Sequence, residues 1–387
     1  MEETWKNKER IDIINFSMGR KEKIQKLLNK VKKVVLKVGS AVITKEDEGL
    51  DYQVLHNLSY EINRLCKSGC KVVLVSSGAI ACGRAKLKYH KKPISLTEKQ
   101  ALAAVGQAAL IQAYENMFQQ YEIQVAQVLL TNEDLSQRER YLNAKKTLET
   151  LLNWKIIPIV NENDTVTTEG IRFSDNDILS ALVAGTIEAD VLIVLSDVDS
   201  LYKEDPRINP QAERISEVED ITPEIMNMAG RNPGRLGRGG MYSKLLSAQM
   251  VNSMGIPMII LPGRMPLVIE KFWSGEDIGT IFWAKERKLN MRKLWIKYYI
   301  KPEGKIYIDQ GAEKAILENG KSLLIGGIIS VEGNFPKGAC VECVNIKGKS
   351  LAKGLTNFSA QELINLKIFE EKINKEVIHR DNLVILD

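Results

Sequence analysis

Short, almost uninterrupted apolar runs recur along most of this chain, separated by longer stretches in which apolar positions return at helical spacing. The runs predict strands over residues 34–38, 71–75, 123–130, 156–160, 190–195, 256–261 and 279–282. The longer stretches predict helices over 20–31, 51–67, 97–121, 132–153, 177–188 and 241–254. A run such as Asp190-Val-Leu-Ile-Val-Leu195 has no polar alternate positions, the pattern of a parallel strand covered on both faces. Strand and helix therefore alternate into an α/β/α sandwich with a mostly parallel open sheet.

The pattern changes after residue 294. Short strand-like runs at 306–308, 328–331 and 339–344 lie between turns at Gly304, Gly333 and Gly338, which predicts a small β-rich second domain. The expected organisation is an N-terminal extension over 1–30, a larger domain over 31–288 and a second domain over 295–378, with the charged Lys285–Lys288 stretch as linker. The segment from 205 to 240 reads as loop-rich, and neither an internal repeat nor a low-complexity stretch is present.

Composition narrows the function classes. With 387 residues, 44% apolar and 27% charged, the chain is an ordinary globular sequence long enough for two domains. A formal charge of +5 is small for this length; it makes no case for nucleic acid or a membrane surface and suits a protein that handles anions. No apolar run reaches the length of a membrane span, and the charged N-terminus is not a secretory signal, so a cytoplasmic protein is expected. The five cysteines, Cys66, Cys70, Cys82, Cys340 and Cys343, read as reduced thiols. Cys340-Val-Glu-Cys343 is a lone pair without a nearby histidine and reads as a strand carrying two ordinary cysteines, not a metal site.

Candidate chemistry gathers in a few places. Residues 161–177 break from an apolar run into a polar loop and then enter a helix, which is where open α/β sheets hold ligands. Asp164, Asp175, Asn176 and Asp177 cluster there, with Asp175 or Asn176 as the helix N-cap. Lys37 interrupts an apolar strand. Because an unpaired ammonium is costly to bury, it either reaches water from an edge strand or faces a ligand from the strand's C-terminal end. Ser76-Ser77-Gly78-Ala79 is a small-residue turn that lets a substrate approach the backbone. Residues 234–244 combine a glycine-rich loop, a helix start and Lys244, an arrangement suited to phosphate. Gly348-Lys349-Ser350 and Gly320-Lys321-Ser322 lack the upstream glycine of a Walker loop, and no dinucleotide fingerprint follows the first strand. His56, His90 and His379 form no zinc pattern and no nucleophile elbow occurs, leaving catalysis by positioning and charge, the kind of help phosphoryl transfer needs.

Lys37-Val-Gly-Ser40, Ser76-Ser-Gly-Ala-Ile80, Ala104-Val-Gly-Gln107, Asn161-Glu-Asn-Asp164, Asp175-Asn-Asp177, Asp205-Pro-Arg207 and Gly237-Arg-Gly-Gly-Met241 with Lys244 together resemble the glutamate 5-kinase family of the amino acid kinase superfamily. The tail, with Gly311-Ala312 and Gly333-Asn334-Phe335, resembles a PUA domain. The resemblance runs unbroken over about residues 32–380. It implies ATP-dependent phosphorylation of the γ-carboxylate of L-glutamate, the first step of proline synthesis, with Mg²⁺ arriving on ATP. Lys37 and Lys244 would flank the transferring phosphoryl group, and Asp177 would hold both lysines. Ser77, Asp164 and Asn176 would bind glutamate. Ser196, Asp197 and the loop Arg238, Gly239, Gly240, Met241, Tyr242, Ser243 and Lys244 would meet the nucleotide, together with Lys37. Three positions depart from the family: Arg238 and Ser196 stand where threonine is usual, and Ala41 where a small hydroxyl residue is usual. Proline as feedback inhibitor, a downstream glutamyl phosphate reductase and a homo-oligomer are also implied.

Three other readings compete. A sister kinase would act on aspartate, acetylglutamate, carbamate or a nucleotide, but the Asn161–Asp164 loop and the PUA-like tail favour glutamate. An RNA-binding PUA protein would need a basic, aromatic-interleaved tail, which residues 294–387 lack. A catalytically dead regulator would not need Lys37, Asp177 and Lys244 together.

Overall fold

The computed structural model describes residues 19–45, 49–90, 95–166, 176–229, 240–284, 291–368 and 375–386, which fall into two compact units. The first is built on one sheet of eight strands: β1 (Lys33–Val38), β2 (Lys71–Ser76), β3 (Val125–Leu130), β4 (Ile157–Glu162), β5 (Val191–Ser196), β6 (Glu217–Val218), β7 (Met258–Pro262) and β8 (Thr280–Phe282). Their order is β6-β8-β7-β5-β1-β2-β4-β3, and every neighbouring pair is parallel except β7 with β8.

The helices of this unit are α1 (Arg20–Leu28), α2 (Ser40–Ile43), α3 (Tyr52–Lys67), α4 (Ala79–Leu87), α5 (Leu96–Gln119), α6 (Arg138–Asn153), α7 (Asn176–Ile187), α8 (Met241–Ser253) and α9 (Val268–Ser274). Strand alternation sorts the sheet residues onto two faces. Val34, Leu36, Val38, Leu74, Ile193 and Leu195 share a core with Ile24 of α1, Leu58 of α3, Tyr114 of α5 and Phe272 of α9. Val35, Val73 and Val194 point the other way and are also fully buried, because α7 packs across β1, β2, β4 and β5. Burial on both faces is why these strands lack polar alternates.

Two expectations change. The predicted helix over 132–153 is broken into Asn132–Ser136 and α6. Leu135 and Tyr141 are both buried, yet in one continuous helix they would point about 120° apart. The interruption at Gln137 lets both side chains serve the second unit, to which residues 133–141 belong. The loop-rich segment from 205 contains the helix Pro223–Met228 and also β6, whose two residues are too few to show periodicity and which exists by pairing with β8. The 285–288 linker lies outside the described residues.

Glu61 of α3 is buried, and its Oε1 accepts hydrogen bonds from the amides of Ile269 (2.7 Å) and Glu270 (3.4 Å) at the start of α9. Burial pushes its carboxyl from 4.5 up to about 7, outweighing those amides, which pull it down. The folded chain thus holds this proton more tightly than the unfolded chain. The stability it contributes is complete below 4.5 and is lost as pH rises through about 7. Glu61→Gln keeps an acceptor oxygen and cannot ionise. It is expected to match the parent near about pH 4.5 and to exceed it near about pH 8 by on the order of 2–3 kcal/mol. Urea unfolding midpoints at both pH values check this, and a pH-independent difference would contradict it.

The second unit holds a five-stranded sheet of β9 (Gly304–Ile308), β10 (Ile328–Glu332), β11 (Cys340–Asn345), β12 (Ser350–Leu355) and β13 (Leu383–Ile385), ordered β10-β9-β11-β12-β13. Helices α10 (Met291–Tyr298), α11 (Gln310–Leu317) and α12 (Ala360–Ile368) accompany it. Ile306, Ile308, Phe335, Val341, Cys343 and Leu351 lie in its core. Trp295 Nε1 donates to the carbonyl of Leu135 (3.2 Å), and Tyr299 meets Tyr141 edge-on at 5.4 Å between ring centroids. Cys340 and Cys343 sit on β11, and burial pushes their thiols up to about 11 and about 12, which keeps them protonated and unreactive.

Candidate active site

The C-terminal ends of β1, β2, β4 and β5 converge at the switch point of the sheet. β1 pairs with β2 on one side and β5 on the other, and an open α/β sheet has its crevice at such a place. Alternation puts Lys37 on the same face as Val35, the face that α7 covers. β1 lies inside the sheet, so Lys37 is no edge residue; it is 3% exposed, at the strand's C-terminal end. Its ammonium meets the first turn of α7, where Lys37 Nζ lies 2.5 Å from Asp177 Oδ1. Lys244, in the first turn of α8, places its Nζ 3.0 Å from Asp177 Oδ2. Asp177 is fully buried and Lys244 nearly so. The hydroxyl of Ser243 lies 2.9 Å from both Asp177 Oδ2 and the Gly240 carbonyl and can donate to either.

The three charged side chains together carry +1. Such a group is costly to bury unless a further anion completes it, and a phosphoryl group is an anion of suitable size and hardness.

Beside this cluster runs a chain of neutral polar groups. Asn176 Nδ2, one residue before Asp177, donates to Ser77 Oγ (2.7 Å) and to Asn161 Oδ1 (2.9 Å). Asn161 Nδ2 in turn donates to Gln107 Oε1 (2.8 Å). Gln107 projects from α5 at a point where α4 and α5 meet backbone to backbone. A Cβ on Gly106 would lie 1.8 Å from the Ala79 carbonyl, and one on Gly83 would lie 1.9 Å from that of Leu102. Only glycine permits this approach. Gln107 Nε2 is buried and has no hydrogen-bond partner among the described residues, leaving a donor beside the crevice. Asp164 lies in the turn after β4, three residues beyond Asn161, and is half-buried.

On the other side, Ser196 closes β5. Its Oγ lies 3.2 Å from Asp197 Oδ1 and accepts from the Val198 amide (3.2 Å), while its carbonyl accepts from the Gly263 amide (2.8 Å). Gly240, Met241 and Tyr242 form the entry to α8, and Tyr242 is exposed. Asp175, Arg238 and Gly239 lie outside the described residues.

The structure thus brings Lys37, Asp177 and Lys244 into one cluster and Ser77 and Asn176 into one hydrogen-bonded chain. Gln107 was not among the candidate site residues, whereas Asn161 belongs to the Asn161–Asp164 loop already read as favouring glutamate. The signal for Gln107 was its position on the apolar stripe of α5, in step with Ala103, Leu110 and Tyr114. The strand boundary differs: Asn161 was read in the loop after residue 160, and β4 runs on to Glu162 and carries it. Ser243, read as part of a nucleotide loop, engages Asp177.

A profile of the amino acid kinase family matches residues 32–262, and a PUA domain profile matches residues 304–380. Glutamate 5-kinase of Geobacter sulfurreducens is 42% identical over 369 residues, covering 93% of this chain and 99% of its own. Glutamate 5-kinases of a Thermoanaerobacter species and of Desulfotalea psychrophila are each 44% identical, covering 92% and 94% of this chain and 98% and 99% of theirs. Among the described residues, no helix is long and apolar enough to cross a membrane.

Proposed function

This chain belongs to the glutamate 5-kinase family of amino acid kinases, with a C-terminal PUA domain, and from that premise we propose that it phosphorylates the γ-carboxylate of L-glutamate with ATP. The observation that carries the chemistry is the buried Lys37–Asp177–Lys244 cluster at the switch point. A γ-carboxylate oxygen attacks the γ-phosphorus of ATP, the bond from that phosphorus to the β–γ bridging oxygen breaks, and ADP leaves with the electron pair. The carboxylate is already ionised at neutral pH, so no general base is needed. Lys37 and Lys244 stabilise the charge spread over the transferring oxygens, and Asp177 holds both ammonium groups in place before the reaction begins.

Glutamate is assigned to the side of Ser77, Asn176 and Asp164. The Asp164 carboxylate suits the α-ammonium, while Ser77 and Asn176 suit carboxylate oxygens. ATP is assigned to the side of Ser196, Asp197 and the segment Arg238 to Lys244. Mg²⁺ would arrive with the nucleotide and would offset charge on its phosphate oxygens. The product is a labile acyl phosphate, which calls for a reductase that consumes it promptly. Proline shares the amine and α-carboxylate of glutamate and is assigned, as an inhibitor, to the same subsite. A cytoplasmic homo-oligomer completes the proposal.

ADP release measured with glutamate, aspartate, acetylglutamate and carbamate, together with trapping of the product by hydroxylamine, tests the reaction. Turnover of another acceptor with none of glutamate would sink the assignment. Asn176→Ala removes hydrogen bonds to both Ser77 and Asn161 and is expected to raise the KM for glutamate roughly 10-fold or more, with a smaller effect on the KM for ATP. Equal effects on both would place Asn176 elsewhere in the reaction.

A further inference from the structure

Arg264 follows β7 in the turn Pro262–Gly263–Arg264 and has so far been given no part in the reaction. Its guanidinium spans three acceptors. Nη1 donates to Asp51 Oδ2 (3.0 Å), and Nη2 donates to the carbonyl oxygens of Ala41 (2.9 Å) and Thr44 (2.7 Å). All three acceptors belong to the stretch that leaves β1, passes through α2 and reaches the N-cap of α3. Thr44 Oγ1 donates back to the Ser40 carbonyl (2.8 Å), and the Asp51 amide donates to that of Ile43 (2.8 Å), so the stretch is a closed turn that Arg264 fastens from outside.

This turn touches both halves of the site. On the acceptor side, the Ser77 amide donates to the Val38 carbonyl (3.2 Å), and a Cβ on Gly78 would lie 3.1 Å from Ile43 Cδ1. On the donor side, the Gly39 amide donates to the Leu195 carbonyl (3.2 Å), and a Cβ on Gly39 would lie 3.7 Å from Lys37 Nζ. A Cβ on Gly263 would lie 2.7 Å from Val42 Cγ1 and 3.1 Å from Leu195 Cβ. Residues 39–44 therefore act as a spacer between the Ser77–Gly78 turn and the end of β5.

We propose that Arg264 is a positioning residue for phosphoryl transfer: by fastening the 40–44 turn, it sets the separation between the acceptor at Ser77 and the phosphoryl group at Lys37. This rests on the kinase reading above. A planar fork reaches three acceptors that a point charge on a flexible stem does not, so lysine is not an equivalent. The Arg264 side chain is 46% exposed, so water replaces it when it is removed, and the buried Asp51 carboxylate keeps the Val54 amide as donor (3.3 Å); the loss of stability is therefore limited, whereas a displacement of about 1 Å between reactants costs on the order of 100-fold in rate. The two roles therefore separate experimentally.

Arg264→Ala and Arg264→Lys, compared with the unmodified full chain, are expected to lose kcat by roughly 10- to 100-fold while the melting temperature moves by only a few degrees and each KM changes less than kcat. Millimolar guanidinium ion is expected to restore part of the turnover of Arg264→Ala and none to the unmodified chain. Parental kcat in Arg264→Ala overturns the proposal, and so does a loss that parallels a fall in melting temperature and is not reversed by guanidinium. If the unmodified chain prefers another acceptor, the same comparison is made with that acceptor. Failure of the glutamate assignment then leaves the test of Arg264 intact.

Discussion

Lys244→Ala is expected to lower turnover by orders of magnitude while glutamate still binds. In the folded chain Lys244 Nζ and Lys37 Nζ share Asp177, and their summed charge exceeds that of the carboxylate by one. Removing Lys244 leaves a neutral pair, and a neutral pair offers the transferring phosphoryl group no excess positive charge. A preorganised donor aimed at developing charge is worth about 100- to 1,000-fold in rate. The polar chain of Ser77, Asn176, Asn161 and Gln107 makes no use of Lys244, so the acceptor subsite persists. ADP release gives the turnover, and calorimetric titration with glutamate gives the binding. Turnover near that of the parent would reject the role given to Lys244.

Asp177→Asn is expected to be worse, because it harms the fold as well as the reaction. Asparagine fits the space and leaves two buried ammonium groups without their carboxylate. Breaking a buried ion pair by removing one partner costs about 3–5 kcal/mol, and full burial denies these charges relief from solvent. The melting temperature should fall by roughly 10 °C. Inorganic phosphate or sulfate should return part of that loss by occupying the space between the lysines, since a ligand that binds only the folded chain stabilises it. A melting temperature equal to the parent's, or one indifferent to these anions, would contradict the account of the cluster.

Much of this was legible in the chain, for reasons that differ from place to place. Strands β1, β2 and β5 declared themselves because both faces are buried, which forces unbroken apolar runs. Lys37 stood out against such a run, yet the run alone did not say whether it reached water or a ligand; its interior strand and the parity shared with Val35 do. Asp177 and Lys244 are 67 residues apart, and only the packing of α7 against α8 makes them neighbours. Gln107 was hidden because a glutamine on an alanine-rich helix looks solvated until the helix is seen to meet α4 through Gly106 and Gly83. Arg264 was invisible, since its three acceptors include two main-chain carbonyls, which leave no mark on the sequence.

The nine residues Glu133–Tyr141 have a consequence for how the chain is cut and made. They belong to the second unit, although the remainder of that unit begins only at residue 287. A protein ended at residue 286 is therefore not a clean deletion. It retains Leu135 and Tyr141 but lacks Trp295, which donates to the Leu135 carbonyl and meets the Tyr141 ring, and Tyr299, which meets that ring edge-on, and so uncovers Tyr141. A fragment begun at residue 287 has the complementary defect. During synthesis the first part of this unit waits through five of the eight strands of the larger sheet before its partners emerge, so contacts of long sequence separation govern how fast it closes. The two units are covalently braided, and their folding is a shared schedule.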